Sequence, residues 1–223
     1  MNTRVTAVIF DMDGVLVNSE PLWRRAMIKG FTGINIAFTE EDCRKTTGIR
    51  FSEVVELWLD HHNMSHIVPK QLEEQIMANL LELIDNEGAP MPGIPELLAF
   101  CKERKLKIGL ATSSSNQLMN AVLKKLQLEN TFDVALSAEF MAYGKPHPEV
   151  FISCAKQLGV PANECIVIED SLNGVIAGKA AQMRVVAVPD EEHRAMPQFA
   201  VADYKLDTFE QVLGLFTSQL RST

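Results

Sequence analysis

The sequence predicts an α/β fold in which a parallel β-sheet is covered by helices on both faces. Three observations lead to this prediction. Short, uninterrupted apolar runs recur along the chain, which is typical of strands that are buried on both faces. Segments with apolar residues at spacings of three and four lie between these runs, as in amphipathic helices. Polar clusters follow several of the runs, as at the carboxyl ends of strands in doubly wound sheets.

Five apolar runs are the predicted strands, and they cover residues 7–10, 107–111, 134–137, 165–168 and 185–188. Helical patterns separate them, and these begin near Pro95, Leu118 and Pro148. Proline is common in the first turn of a helix, which supports two of these starts. Strand and helix therefore alternate as in a Rossmann-like core.

A segment of about 70 residues after the first strand breaks this alternation. Ser19 followed by Glu20 and Pro21 is typical of a helix start. Apolar residues then recur at helical spacing: Val54, Val55, Trp58, Leu59, and after Pro69 also Leu72, Ile76, Leu80, Leu83 and Ile84. We predict an all-helical cap over residues 18–87 and a core formed by residues 1–17 and 88–223. Because the insert follows the first strand, we interpret it as a lid over that strand's carboxyl end.

Composition and charge exclude several classes of protein. The chain has 223 residues, of which 47% are hydrophobic and 22% charged, the balance of a globular domain. Its 21 basic and 29 acidic residues give a net charge of -8, which repels nucleic acid. Every apolar run is far shorter than the roughly 20 residues that span a bilayer. The four cysteines form no CxxC pair, which favours free thiols in a reducing cytoplasm. We expect a cytoplasmic monomer, with a dimer left open.

Four polar clusters follow or precede the predicted core elements. Asp11 and Asp13 follow the first strand, and residues 112–116, four hydroxyl side chains and an asparagine, follow the second. Lys145 lies between turn residues before a helix, and residues 169–171, with two acids, follow the fourth strand. If these strands are neighbours, four carboxylates, one lysine and several hydroxyls converge on a small volume.

Such a convergence indicates a metal and an anionic substrate. Clustered acids repel one another unless a cation neutralises them, and oxygen ligands without cysteine or histidine suit Mg²⁺. A lysine, hydroxyls and backbone N–H groups next to that ion would hold a phosphate. The sequence contains no GxxxxGK[ST] loop and no GxGxxG after the first strand, which argues against nucleotide and dinucleotide sites.

These residues resemble the four signature motifs of the haloacid dehalogenase superfamily, in the order that the family has them. The similar strings are DMDGVLVNSEPLW from residue 11, Thr112, GKPHPEVF from residue 144 and IEDSLNGVIAGKAA from residue 168. The resemblance covers nearly the whole chain. The helical insert resembles the cap of the beta-phosphoglucomutase-like branch, and the branch's hexitol and 2-deoxyglucose-6-phosphate phosphatases are the most similar group.

The resemblance implies a role for each core residue. Asp11 would be the nucleophile that forms an aspartyl-phosphate. Asp13 would protonate the leaving alkoxide and later accept a proton from water. Thr112 and the N–H of Ser113 would hold phosphoryl oxygens, and Lys145 would bridge Asp11 and the phosphate.

The resemblance also implies a Mg²⁺ site. Its ligands would be the carboxylates of Asp11 and Asp170 and the backbone carbonyl of Asp13. Glu169 would bind the ion or lie next to its ligands.

Two features of the insert bear on the reaction. Arg50 is the candidate for substrate recognition by the cap, although a surface ion pair with Glu53 or Glu56 explains it equally well. The mutases of the branch carry a histidine shortly after the first motif, and the stretch from Asn18 to Trp23 has none. This difference favours hydrolysis over isomerisation.

We therefore predict a Mg²⁺-dependent phosphatase of small sugar or sugar-alcohol phosphates. A beta-phosphoglucomutase-type phosphomutase and a phosphoglycolate-type phosphatase are the alternatives. A dehalogenase would need no Mg²⁺, and the acid at Asp13 argues against it. A non-catalytic binding protein would gain nothing from the clustered acids.

Overall fold

The computed structural model describes residues 4–46 and 51–219. The chain divides into two compact units. One unit, the core unit, comprises Met1–Asn18 and Ala89–Thr223, and the other, the cap unit, comprises Ser19–Gly88. No helix among the described residues is long and apolar enough to cross a membrane.

The cap unit has only helices as regular elements in its described residues. These are α1 (Glu20–Gly33), α2 (Glu40–Lys45), α3 (Phe51–His61) and α4 (Pro69–Glu87). Helices α3 and α4 bury the faces that their spacing predicted, except that Leu83 is only half-buried. Gly30 of α1 allows close packing, because a Cβ there would collide with the side chain of Ile76 in α4.

The two helix starts of the cap unit that precede residue 46 differ in how they are capped. Helix α1 begins where the sequence predicted, directly after Ser19 and with Pro21 in its first turn, but the Ser19 hydroxyl makes no capping hydrogen bond. Helix α2 was not predicted, because its six residues are too few to show a periodicity. It begins with a capping box, in which Thr39 and Asp42 each accept a hydrogen bond from the other's backbone N–H.

The core unit contains a sheet of six parallel strands. They are β1 (Ala7–Phe10), β2 (Lys107–Thr112), β3 (Val134–Ser137), β4 (Cys165–Glu169), β5 (Arg184–Ala187) and β6 (Tyr204–Lys205), in the order β3-β2-β1-β4-β5-β6. The predicted α/β class is confirmed, and the five predicted strands lie within one residue of the observed bounds. Strand β6 was missed because Tyr204 and Lys205 form no apolar run.

Helices and 3₁₀ turns connect the strands. The helices of the core unit are α5 (Ile94–Glu103), α6 (Asn116–Lys125), α7 (Glu149–Leu158), α8 (Leu172–Ala180) and α9 (Phe209–Gln219). Ser115 caps α6 by accepting from the N–H of Leu118, and Ser171 caps α8 by accepting from the N–H of Gly174. Strands β1 and β4 are fully buried, as expected for strands covered on both faces.

The strand order positions the polar clusters. β1 lies between β2 and β4, with Phe10 opposite Leu110 on one side and Ile168 on the other. Because all three strands run in the same direction, Asp11, Thr112 and Glu169 lie together at the carboxyl ends of these strands.

Candidate active site

Asp11 is at the centre of the site. It follows β1 directly, and its backbone N–H donates to the carbonyl of Ile168 at 3.0 Å, which continues the pairing with β4. The residue is only 6% exposed. A buried carboxylate requires compensating charge or hydrogen bonds, because the loss of hydration disfavours its ionised form.

Lys145 supplies that compensating charge. Its Nζ donates to Asp11 Oδ1 at 2.5 Å, to Glu169 Oε1 at 2.5 Å and to the carbonyl oxygen of Ala111 at 3.0 Å. The ammonium group also lies 4.7 Å from the centre of the Phe151 ring, within the range of a cation–π interaction. Three oxygen acceptors and a ring therefore hold one cation between the ends of β1, β2 and β4.

Glu169 uses both carboxylate oxygens within the protein. Its Oε1 accepts from Lys145, and its Oε2 accepts from the N–H of Asp170, the N–H of Ser171 and the hydroxyl of Ser171. The carboxylate also lies against Gly174 in α8, where a Cβ would overlap its atoms. The start of α8 thus holds Glu169 in place, and Glu169 in turn holds Lys145.

Gly174→Ala is therefore expected to displace the Glu169 carboxylate and to lower the free energy of unfolding by about 1–3 kcal/mol, as in overpacked cores. Gly214→Ala is the matched control, because Gly214 is also in a helix and a Cβ there meets no atom within 4 Å. That change should stabilise the protein by about 0.5–1 kcal/mol. Urea denaturation measures both, and equal effects would contradict the close contact.

Three carboxylates form the candidate metal centre. Asp11, Glu169 and Asp170 each offer an oxygen, and these oxygens lie within 4.8 Å of one another. Gly14 makes the approach of Asp170 feasible. Its φ is 71°, in the left-handed region, and a Cβ there would overlap the Asp170 carboxylate.

The electrostatics of the cluster favour the binding of a cation. Burial raises the pKa of Asp11 to about 7; Lys145 opposes this shift, and the carboxylates of Glu169 and Asp13 add to it. Burial, together with the neighbouring acids, also raises the pKa of Asp170 well above its usual range. Burial alone would lower the pKa of Lys145, but Asp11 and Glu169 outweigh it and keep the lysine charged. When ionised, these acids would carry more negative charge than one lysine can balance, so a bound cation would stabilise their ionised forms.

Asp13 and the residues after β2 complete the site. Asp13 Oδ2 accepts a hydrogen bond of 2.6 Å from the hydroxyl of Ser114. Thr112 is buried, and its Oγ1 accepts from the N–H of Ser114 at 3.0 Å. Ser113, between them, is exposed.

The structure thus brings Asp11, Lys145, Glu169 and Asp170 into direct or near contact, and links Asp13 to Thr112 through Ser114. Arg50 lies outside the described residues. Sequence reasoning missed the contact of Ser114 with Asp13, because a run of three serines gives no signal that separates them. It also missed the Ala111 carbonyl, since any residue type supplies that oxygen.

An aspartate paired with a buried lysine, next to an acidic cluster at the carboxyl edge of a parallel sheet, is the arrangement of an enzyme that acts on anionic substrates. The chain belongs to the haloacid dehalogenase-like hydrolase family, which matches residues 5–182. The assignment made from the motifs is confirmed, and the chain is an enzyme of the phosphatase type within that family.

Individual proteins are similar to this chain in sequence and in fold. Hexitol phosphatase B of Escherichia coli (strain K12) is 37% identical over 210 residues, which cover 94% of this chain and 95% of that protein. CbbY from Rhodobacter sphaeroides in complex with phosphate has a TM-score of 0.84 at 27% identity, over 93% of this chain and 96% of that one. Beta-phosphoglucomutase from Clostridium difficile has a TM-score of 0.81 at 28% identity, over 96% of each chain.

Proposed function

We propose that the protein is a Mg²⁺-dependent phosphomonoester hydrolase of small sugar or sugar-alcohol phosphates that works through an aspartyl-phosphate on Asp11. The observation that carries the proposal is the buried Asp11 carboxylate, held by Lys145 at 2.5 Å beside Glu169 and Asp170. The similarity to hexitol phosphatase B supports the sugar-alcohol part.

The residues of the acidic cluster fit Mg²⁺. Their ligand atoms are all oxygens, which this hard cation prefers, and their excess negative charge needs a cation. The carboxylates of Asp11 and Asp170 and the backbone carbonyl of Asp13 would hold the ion. Glu169 fits better as a neighbour of these ligands, because both its oxygens already accept hydrogen bonds. When bound, the ion supplies positive charge that offsets the repulsion between substrate phosphate and carboxylate.

In the first step, a carboxylate oxygen of Asp11 attacks phosphorus and the bond to the leaving alkoxide breaks. The carboxyl group of Asp13 gives its proton to that alkoxide. Lys145 remains against Asp11 and offsets the charge that gathers as the two anions meet. Thr112 Oγ1 already accepts from Ser114, so its own hydroxyl proton is what it offers to a phosphoryl oxygen.

In the second step, water attacks phosphorus and the bond to Asp11 breaks. The Asp13 carboxylate accepts the proton of the attacking water, which restores the carboxyl group for the next cycle. Ser113 is an exposed residue, and its backbone N–H would donate to a phosphoryl oxygen in both steps. Selection of the leaving group by the cap unit, with Arg50 as a candidate, is part of the proposal.

Mg²⁺ affinity is expected to fall as the pH drops. The pKa of Asp11 in the metal-free protein is raised to about 7, so protons compete with the ion below that pH. The dissociation constant should increase by up to about tenfold per pH unit for each ligand that must lose a proton. Titration calorimetry in buffers of different ionisation enthalpy measures both the affinity and the released protons. An affinity that is constant across pH 7 would contradict the assignment of Asp11 as a ligand.

Phosphate release from a panel of hexose, hexitol, pentose and glycolate phosphates tests the proposed function. Each substrate is assayed with Mg²⁺ and with EDTA. Release from sugar or sugar-alcohol monophosphates that EDTA abolishes is the expected result. Release from no monophosphate would overturn the proposal.

A phosphomutase is the second candidate, and the similarity to beta-phosphoglucomutase from Clostridium difficile favours it. A mutase would need a bisphosphorylated sugar as a primer and would release little free phosphate. The missing histidine between Asn18 and Trp23 favours hydrolysis. Isomerisation of a hexose phosphate that appears only with added bisphosphate would decide for the mutase.

A further inference from the structure

The hydroxyl of Ser114 is in direct contact with the proposed acid and base. Ser114 Oγ donates to Asp13 Oδ2 at 2.6 Å, across 101 residues of sequence. Serine in such a run is often only a helix cap. Here that role belongs to Ser115, whose hydroxyl accepts from the N–H of Leu118. The adjacent residues Ser114 and Ser115 therefore have different structural roles.

The backbone around Ser114 is held by the ends of two strands. Its N–H donates to Thr112 Oγ1 at 3.0 Å, and its carbonyl oxygen accepts from the hydroxyl of Ser137 at 2.5 Å. Thr112 ends β2 and Ser137 ends β3, and the two strands pair directly at these residues. Because the backbone of Ser114 is hydrogen-bonded to the ends of two strands, its hydroxyl can occupy fewer positions than the hydroxyl of a serine in an open loop.

We propose that Ser114 is a positioning residue that orients the carboxyl group of Asp13 for proton transfer to the leaving group. The proposal rests on the proposed function. The carbonyl oxygen of a carboxylic acid is a better acceptor than its hydroxyl oxygen. The hydrogen bond from the Ser114 hydroxyl therefore makes Oδ2 the carbonyl oxygen of the Asp13 carboxyl group. The transferable proton is then on Oδ1 of Asp13.

The proposal predicts which substrates depend on Ser114. In the first step, the P–O bond to the leaving group breaks as the bond from Asp11 to phosphorus forms, and the Oδ1 proton moves to the departing oxygen. An alkoxide is a poor leaving group and needs this proton. 4-Nitrophenolate is stable as an anion and leaves without it. A misplaced Asp13 therefore slows the phosphorylation step with alkyl phosphates selectively.

The test compares kcat/KM of Ser114→Ala for sorbitol 6-phosphate and for 4-nitrophenyl phosphate. This quotient reports the steps up to cleavage of the ester, so the later hydrolysis of the intermediate does not enter. We expect a loss of about 10–100-fold for sorbitol 6-phosphate and less than about threefold for 4-nitrophenyl phosphate. Ser114→Thr keeps the hydroxyl and should restore most of the lost activity.

Two further variants separate positioning from a general loss of structure. Ser115→Ala removes the neighbouring hydroxyl and one helix cap, so it should lower the melting temperature without discriminating between the two substrates. Ser137→Ala removes the bond to the Ser114 carbonyl and should show the same discrimination as Ser114→Ala, but to a smaller degree. It provides the test if Ser114→Ala does not fold.

Equal losses on both substrates, or no loss on either, would overturn the role of Ser114. The wild-type protein separates this result from a failure of the proposed function. If the wild type releases phosphate from neither probe in the presence of Mg²⁺, the proposed function fails and the role of Ser114 falls with it. If the wild type is active on both and the Ser114 variant does not discriminate, only the positioning role is wrong.

Discussion

Asp11→Asn is expected to abolish turnover, with a loss in kcat of at least about 10⁴-fold. An amide has no negative charge and is a far weaker nucleophile toward phosphorus than a carboxylate. The substitution also removes one of the three carboxylates of the acidic cluster. Steady-state phosphate release with the best substrate of the panel measures the loss.

The variant should remain folded, which makes the result interpretable. Lys145 keeps Glu169 as an ion-pair partner in the absence of the Asp11 carboxylate, and the amide has nearly the same volume as the acid. Circular dichroism and thermal unfolding serve as controls. A folded variant that retains more than about one per cent of the activity would exclude Asp11 as the nucleophile.

Lys145→Met is expected to reduce kcat by about 10³-fold and the free energy of unfolding by about 3–5 kcal/mol. Methionine approximates the volume of the side chain but removes its charge, which leaves Asp11 and Glu169 buried without their cation. Breaking a buried pair from one side has a cost of this order. The loss in rate follows because no ammonium group offsets the charge of the approaching phosphate.

Lys179→Met provides the matched control for Lys145. Lys179 pairs with Asp203 at 2.7 Å, but both side chains are about one-third exposed, and such pairs contribute less than about 1 kcal/mol. Urea denaturation of the metal-free variants measures the difference. The destabilisation by Lys145→Met should shrink as the pH falls toward about 7, because loss of the lysine raises the pKa of Asp11 further and the variant protonates that acid while the wild type is still ionised. Below about pH 7 the difference should stay constant, since Asp11 is protonated in both proteins. Equal effects of the two lysine changes would contradict the account.

Much of the core fold was predictable from local pattern. Buried parallel strands need apolar residues on both faces, so the runs at β1 and β4 are unambiguous even though they are short. Strand β6 pairs at the edge of the sheet with only two residues, and nothing in Tyr204 and Lys205 indicates it. The short helix α2 depends on its capping box rather than on an apolar face.

The sequence indicated the candidate site through a combination of motifs. Two acids after an apolar strand, or a lysine between glycine and proline, each have an ordinary structural explanation as a turn or a loop. Their convergence at the ends of predicted neighbouring strands, in the order of a family's motifs, pointed to Asp11, Asp13 and Lys145. Ser114 could not be singled out, because its role depends on a contact with Asp13 that the packing of β1 against β2 creates. The hydrogen bonds of Glu169 likewise depend on the start of α8, which the motif alone does not describe.

Trapping the phosphorylated residue is the most direct test of the proposal that Asp11 forms an aspartyl-phosphate. Asp13→Ala removes the base of the second step but keeps the backbone carbonyl, and 4-nitrophenyl phosphate needs no acid in the first step. We predict a burst of about one nitrophenolate per chain. Reduction of the quenched protein with borohydride and peptide mass spectrometry should then find homoserine at position 11. A phosphoryl group on another residue, or inversion of configuration at phosphorus in the wild-type reaction, would contradict the account.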